Sequence, residues 1–153
     1  MAVPALSPAV AGAPPGPVRR CVLIVEDNAL NMKLFSAMIA AQGYDVLQAT
    51  DGAHGLELAQ HQHPDLIIMD IQLPSMSGLD VTRNLKSEEA TRDIPIIATT
   101  AFALRGDEEK ILASGCDGYM AKPIAISQFL ELIETFMLKV PGISEFVTTE
   151  AVP

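Results

Sequence analysis

The chain has 153 residues, of which 49% are apolar, and a formal net charge of −9. That length is one domain's worth, enough to bury a single sizeable core. The acidic balance argues against a nucleic-acid footprint, which is basic, and no run approaches the roughly 18 apolar residues that span a bilayer.

Residues 1–19 carry Pro4, Pro8, Pro14, Pro15 and Pro17 among Ala, Val and Gly. They lack the charged start and unbroken apolar core of a secretion signal, and read as a disordered tail. Cys21 and Cys116 offer neither a disulfide framework nor metal-ligand spacing, and read as buried thiols of a reducing cytoplasm. Cys21-Val22-Leu23-Ile24-Val25 is a continuous apolar run, the pattern of a short strand covered on both faces, and it ends in Glu26-Asp27-Asn28. Ala29 to Gln42 follows as a helix with Leu30, Leu34, Phe35, Met38 and Ile39 at helical spacing, and Gly43 stands where a C-terminal glycine belongs. Tyr44 to Ala49 reads as a second strand, Asp51-Gly52 as a turn, and Ala53 to His61 as a helix stopped before Pro64. His54, His61 and His63 lie on or after that helix at spacing that suits the surface better than a metal.

Asp65-Leu66-Ile67-Ile68-Met69-Asp70 is the third strand, and the loop Ile71 to Gly78 leaves it. Leu79 to Lys86 is a helix offering Leu79, Val81 and Leu85 to the core, followed by a charged connection over 87–93. Ile94 to Thr99 is a fourth strand entered through Pro95, and Thr100-Ala101-Phe102-Ala103 leaves it. Leu104 to Ser114 is a weakly amphipathic helix closed by Gly115. Asp117 to Ala121 is a fifth strand, followed by Lys122-Pro123. Ser127 is placed to cap a last helix running to Leu138, with Phe129, Leu130, Ile133, Phe136 and Met137 inward. Residues 139–153 lose periodicity and read as a second disordered tail.

Five strands alternating with five helices predict an α/β domain over residues 20–138: a flavodoxin-like (βα)5 doubly wound parallel sheet of strand order 2-1-3-4-5. Its switch point falls between the first and third strands, which puts Glu26, Asp27 and Asp70 side by side. A lone Asp at a strand end is commonly a cap. Three clustered carboxylates instead repel one another and ask for a cation, and a few hard oxygen ligands with room for water describe Mg²⁺. Lys122 ends the fifth strand and Thr99-Thr100 the fourth. A lysine, a hydroxyl and a cation around one carboxylate meet the electrostatic requirement of phosphoryl transfer, with Asp70 as nucleophile.

Glu26-Asp27, Asp70 with Pro74 and Gly78 behind it, Thr100-Ala101 and Lys122-Pro123 resemble the receiver (CheY-like) domains of two-component response regulators over roughly Arg20 to Leu138. The fuller runs around Asp27, Asp70 and Thr100 are similar to the single-domain cell-division regulators of alphaproteobacteria. The resemblance implies that Asp70 accepts phosphoryl from the phosphohistidine of a sensor histidine kinase or histidine phosphotransferase. It implies Mg²⁺ held by Asp27, Asp70 and the backbone carbonyl of Gln72, with Glu26 acting through water. Lys122 would pair with Asp70 and then the phosphoryl oxygens, Thr100 would swing to the phosphate, and Tyr119 would follow it inward toward downstream protein targets.

Each role has a plainer rival: Glu26 as a solvated strand-end acid, Thr100 as a hydroxyl bonding backbone, Tyr119 as a surface aromatic. Leu30 and Met32 are assigned to the outer side of the first helix, either as scattered apolar residues or as a partner-docking patch. Rival functions are a receiver-fold scaffold independent of phosphorylation, a flavin carrier and a Mg²⁺-dependent aspartyl-phosphate phosphatase of the haloacid dehalogenase type. The carrier would want a glycine-rich phosphate loop after the first strand. The phosphatase would resemble its family in a second Asp two residues after the first, where this chain has Gln72. The expectation is a cytoplasmic signalling protein with no nucleic-acid or membrane partner and no small-molecule turnover; the short acidic segment after Leu138 has no room for an output domain.

Overall fold

The computed structural model describes residues 20–101 and 105–138; both expected tails, together with Phe102, Ala103 and Leu104, lie outside them. Among the described residues ten elements alternate: β1 Cys21–Val25, α1 Ala29–Ala41, β2 Asp45–Ala49, α2 Gly52–Gln62, β3 Leu66–Asp70, α3 Gly78–Ser87, β4 Ile96–Thr100, α4 Arg105–Ala113, β5 Gly118–Ala121 and α5 Ile126–Met137. The strands pair in parallel in the order β2-β1-β3-β4-β5, the predicted winding. Among the described residues no helix is long and apolar enough to cross a membrane.

The continuous apolar runs are explained by helices on both faces of the sheet, since successive strand residues point to opposite sides. Val22, Ile24, Leu66, Ile68 and Ile97 pack against α1 and α5, where Phe35 and Phe129 stack with ring centroids 5.0 Å apart. Leu23, Val25, Ile67, Met69 and Ile96 face the other layer, built from Ala59 of α2, Val81 and Leu85 of α3 and Ile111 of α4. Helix α2 buries Gly52, Gly55 and Ala59 rather than an apolar stripe. A Cβ at Gly55 would come within 2.8 Å of Val25 Cγ2, so the missing side chain lets this helix lie close on β1.

Two sequence expectations are corrected. Met32 is buried at 6% exposure while Leu30 is 73% exposed. Residues two apart sit about 200° apart around a helix and cannot share a face. Met32, Phe35 and Ile39 form the inner stripe, and the apolar neighbour of Leu30 is Leu34, four residues on and 45% exposed. Helix α5 starts one residue before Ser127, behind Ala125, which makes no side-chain capping bond. Burial of Phe129, Ile133, Phe136 and Met137 sets the register of this helix without a cap.

Ser77 caps α3 by accepting from the Leu79 amide at 3.1 Å. Gly78 opens that helix directly behind Asp70: its amide donates to the Ile71 carbonyl at 3.0 Å, and a Cβ would overlap the Asp70 carbonyl oxygen. Backbone cannot yield as a flexible side chain can. Gly78→Ala is therefore expected to cost about 2–3 kcal/mol in denaturant unfolding and to move the amide resonances of Asp70 and Ile71. A loss below about 0.5 kcal/mol would contradict this packing.

Candidate functional site

Three strand ends converge at the carboxyl edge of the sheet. The Glu26 amide continues the β1 ladder to the Ala49 carbonyl at 3.0 Å, and Asn28 turns the chain into α1 by accepting from the Asn31 amide at 2.9 Å. This fixes Glu26 and Asp27 beside β3, whose register with β1 runs to Val25 opposite Met69. Carboxylate oxygens of Glu26, Asp27 and Asp70 lie within 4.8 Å of one another. Asp27 is exposed, whereas Glu26 and Asp70 are 1% and 2% exposed.

Lys122 enters from the fifth strand end. Its amide donates to the Thr100 carbonyl at 2.7 Å, tying the exit of β5 to the end of β4, and the peptide to Pro123 is cis. Its ammonium Nζ lies 3.1 Å from Glu26 Oε1 and 3.3 Å from Asp70 Oδ2. The other two oxygens accept from backbone: Asp70 Oδ1 from the Gln72 amide at 3.0 Å and Glu26 Oε2 from the Asn28 amide at 3.1 Å. Glu26 Oε1 has no hydrogen-bond partner among the described residues and lies in ion-pair contact with the Lys122 ammonium.

One ammonium does not balance three carboxylates. Burial first, and the Glu26 charge second, push the Asp70 carboxyl from 3.8 up to about 6, against Lys122 and the Gln72 amide, which lower it. An all-oxygen donor set, an excess of negative charge and a buried carboxylate oxygen short of hydrogen bonds fit a small hard cation.

The two threonines ending β4 differ. Thr99 pairs with Asp70 in register, and its Oγ1 is buried with no hydrogen-bond partner among the described residues. Thr100 Oγ1 instead accepts from Gln72 Nε2 at 3.1 Å, and Gln72 Oε1 accepts from the Ala101 amide at 3.1 Å. Tyr119 stands in β5 opposite Ala98, half-buried on the α4 side, where the Glu108 carboxylate raises the phenol pKa. The geometry thus gathers Glu26, Asp27, Asp70 and Lys122, places Thr100 at the same edge, and sets Tyr119 on a neighbouring strand. His54, His61 and His63 are exposed, outside the acidic cluster. The Gln72 side chain is the site residue that sequence reasoning missed; only its backbone was assigned a role, and a polar loop residue gives no signal of what it bridges.

The raised Asp70 pKa has a defined sign. Between 3.8 and about 6 the folded chain holds this proton more tightly than the unfolded chain, so stability is lost as pH rises through that window. In chelator at pH 7.5, Asp70→Asn is expected to stabilise the protein by about 2–3 kcal/mol in urea unfolding, fading near pH 4. Equal or lower stability of the variant at pH 7.5 would contradict a charge held at net cost.

The sequence and fold have close relatives. The model of the response regulator receiver domain matches residues 22–134. The polar-differentiation response regulator DivK of Brucella ovis is 52% identical over 118 residues, covering 77% of this chain and 96% of that protein. DivK of Brucella anthropi is 51% identical over the same length. Among solved structures, the receiver domain of sensor histidine kinase PA1611 from Pseudomonas aeruginosa PAO1 is 36% identical at a TM-score of 0.72, covering 78% of this chain and 98% of that one. That structure has a magnesium ion coordinated in its active site cleft. Chemotaxis response regulator CheY4 of Vibrio cholerae is 25% identical at a TM-score of 0.74, covering 78% and 99%. With a family model spanning most of its length and the matching sheet order, the chain belongs to the response regulator receiver family.

Proposed function

We propose that this protein is a single-domain response regulator of a two-component phosphorelay, acting in cell-cycle or cell-polarity control in the cytoplasm. The observation that carries the reading is Lys122 held between Glu26 and Asp70, 3.1 and 3.3 Å away, at the edge where Asp27 joins them. The polarity role is supported by 52% identity to a DivK whose length the chain nearly covers.

The donor is the phosphohistidine of a sensor histidine kinase or histidine phosphotransferase. An Asp70 carboxylate oxygen attacks phosphorus and forms the O–P bond as the P–N bond breaks. The donor imidazole leaves with that electron pair and takes up a proton from solvent. Asp27, Asp70 and the Gln72 carbonyl would hold Mg²⁺, with Glu26 acting through water; the ion supplies positive charge against the transferring oxygens. Lys122 exchanges its contact with the Asp70 carboxylate for phosphoryl oxygens and keeps their charge compensated. Thr100 turns its hydroxyl toward the phosphoryl group, and Tyr119 leaves Glu108 and moves inward. These local changes alter the surface formed by α4, β5 and α5, to which downstream proteins respond. Gln72 offers no carboxylic acid to protonate a leaving group, so turnover of small phosphate esters is not expected.

Mg²⁺ affinity read by amide shifts is expected to fall at least about tenfold in Asp27→Ala. Undiminished affinity would remove Asp27 from the ion site. With a phosphorylated histidine phosphotransferase as donor, Lys122→Ala is expected to accept label on Asp70 without the resonance changes at Thr100 and Tyr119 that wild type gives. A normal response in this variant would contradict the coupling role. In the source cell, an Asp70→Ala strain with wild-type division and polarity would refute the cell-cycle assignment.

A further inference from the structure

The Gln72 side chain spans from the β3–α3 loop to the end of β4 and makes two hydrogen bonds there: Nε2 to Thr100 Oγ1 and Oε1 from the Ala101 amide, both at 3.1 Å. A backbone N–H can only donate, so the carboxamide oxygen must face Ala101 and its NH₂ must face Thr100. A carboxamide of this length supplies the acceptor and the donor together; Glu would lose the donor and add charge beside Asp70, and Asn is one methylene short. At its other end the residue is tied to the acceptor itself, since its own amide donates to Asp70 Oδ1 at 3.0 Å.

We propose that the Gln72 side chain is a clasp that holds Thr100 and the Ala101 amide in the resting chain and competes with the phosphoryl group for them. The proposal rests on the receiver reading above. A phosphoryl group on Asp70 extends past the strand end toward β4, where the Ala101 N–H is already given to Gln72 Oε1. Thr100 cannot turn toward it without breaking the bond from Gln72 Nε2. Gln72 is thus a positioning residue that favours the resting state, and its removal lowers the cost of the active one.

The test uses the full chain and beryllofluoride with Mg²⁺, a non-covalent stand-in for the phosphoryl group. Gln72→Ala is expected to bind it about fivefold to tenfold more tightly than wild type, because two net hydrogen bonds no longer have to be broken. The free variant is expected to exchange its Ala101 amide about tenfold faster. Gln72→Asn is expected to behave as Ala does, which separates reach from chemistry and provides a second variant should the first fold poorly. A merely structural role would lower stability and weaken binding. Equal or weaker beryllofluoride binding by both variants, with wild type binding normally, overturns the clasp and leaves the receiver reading intact. An unprotected Ala101 amide in wild type also overturns it. No Mg²⁺-dependent binding by wild type overturns both.

Discussion

Everything at the carboxyl edge of this sheet depends on concentrated negative charge held against Lys122. Glu26 and Asp70 are buried and Asp27 lies beside them, while among the described residues Lys122 alone faces the pair from within ion-pairing distance. Such an arrangement would be a poor way to build stability, because desolvating carboxylates costs more than one ammonium returns. The raised carboxyl of Asp70 is the direct mark of that imbalance. Charge kept under tension in this way favours whatever positive species enters the site.

The fold makes the tension sustainable. Each acid or base sits where a strand stops, so backbone already fixed by the ladder sets its position, and the cost is spread over a core that packs both sheet faces. Gly78 and Gly55 serve the same end by letting α3 and α2 approach backbone and β1 closely. Thr100 and Tyr119, by contrast, meet polar side chains from other segments: Thr100 Oγ1 accepts from Gln72 Nε2, and Tyr119 has Glu108 beside it.

Much of this was legible in the sequence. Continuous apolar strands, alternation with helices and the carboxylates after β1 and β3 specify the winding and bring Glu26, Asp27 and Asp70 together; Lys122 before Pro123 completes the set. What stayed hidden was finer. Met32 was placed beside Leu30 although a helix puts residues two apart on different sides. Helix α2 packs through Gly52, Gly55 and Ala59, which carry no hydrophobic period. Ser127 has the chemistry of a cap, but buried aromatic and aliphatic side chains start α5 earlier. The reach of Gln72 to two groups on another strand end depends on a loop path that no local pattern encodes.

The measurement that bears most directly on this account is intact mass after incubation with acetyl phosphate, with Mg²⁺ and with chelator, for wild type and Asp70→Asn. The account predicts one phosphoryl adduct on wild type in Mg²⁺, none in chelator and none on the variant. Absence of an adduct on wild type under every condition, or an equal adduct on Asp70→Asn, would contradict phosphoryl acceptance at Asp70.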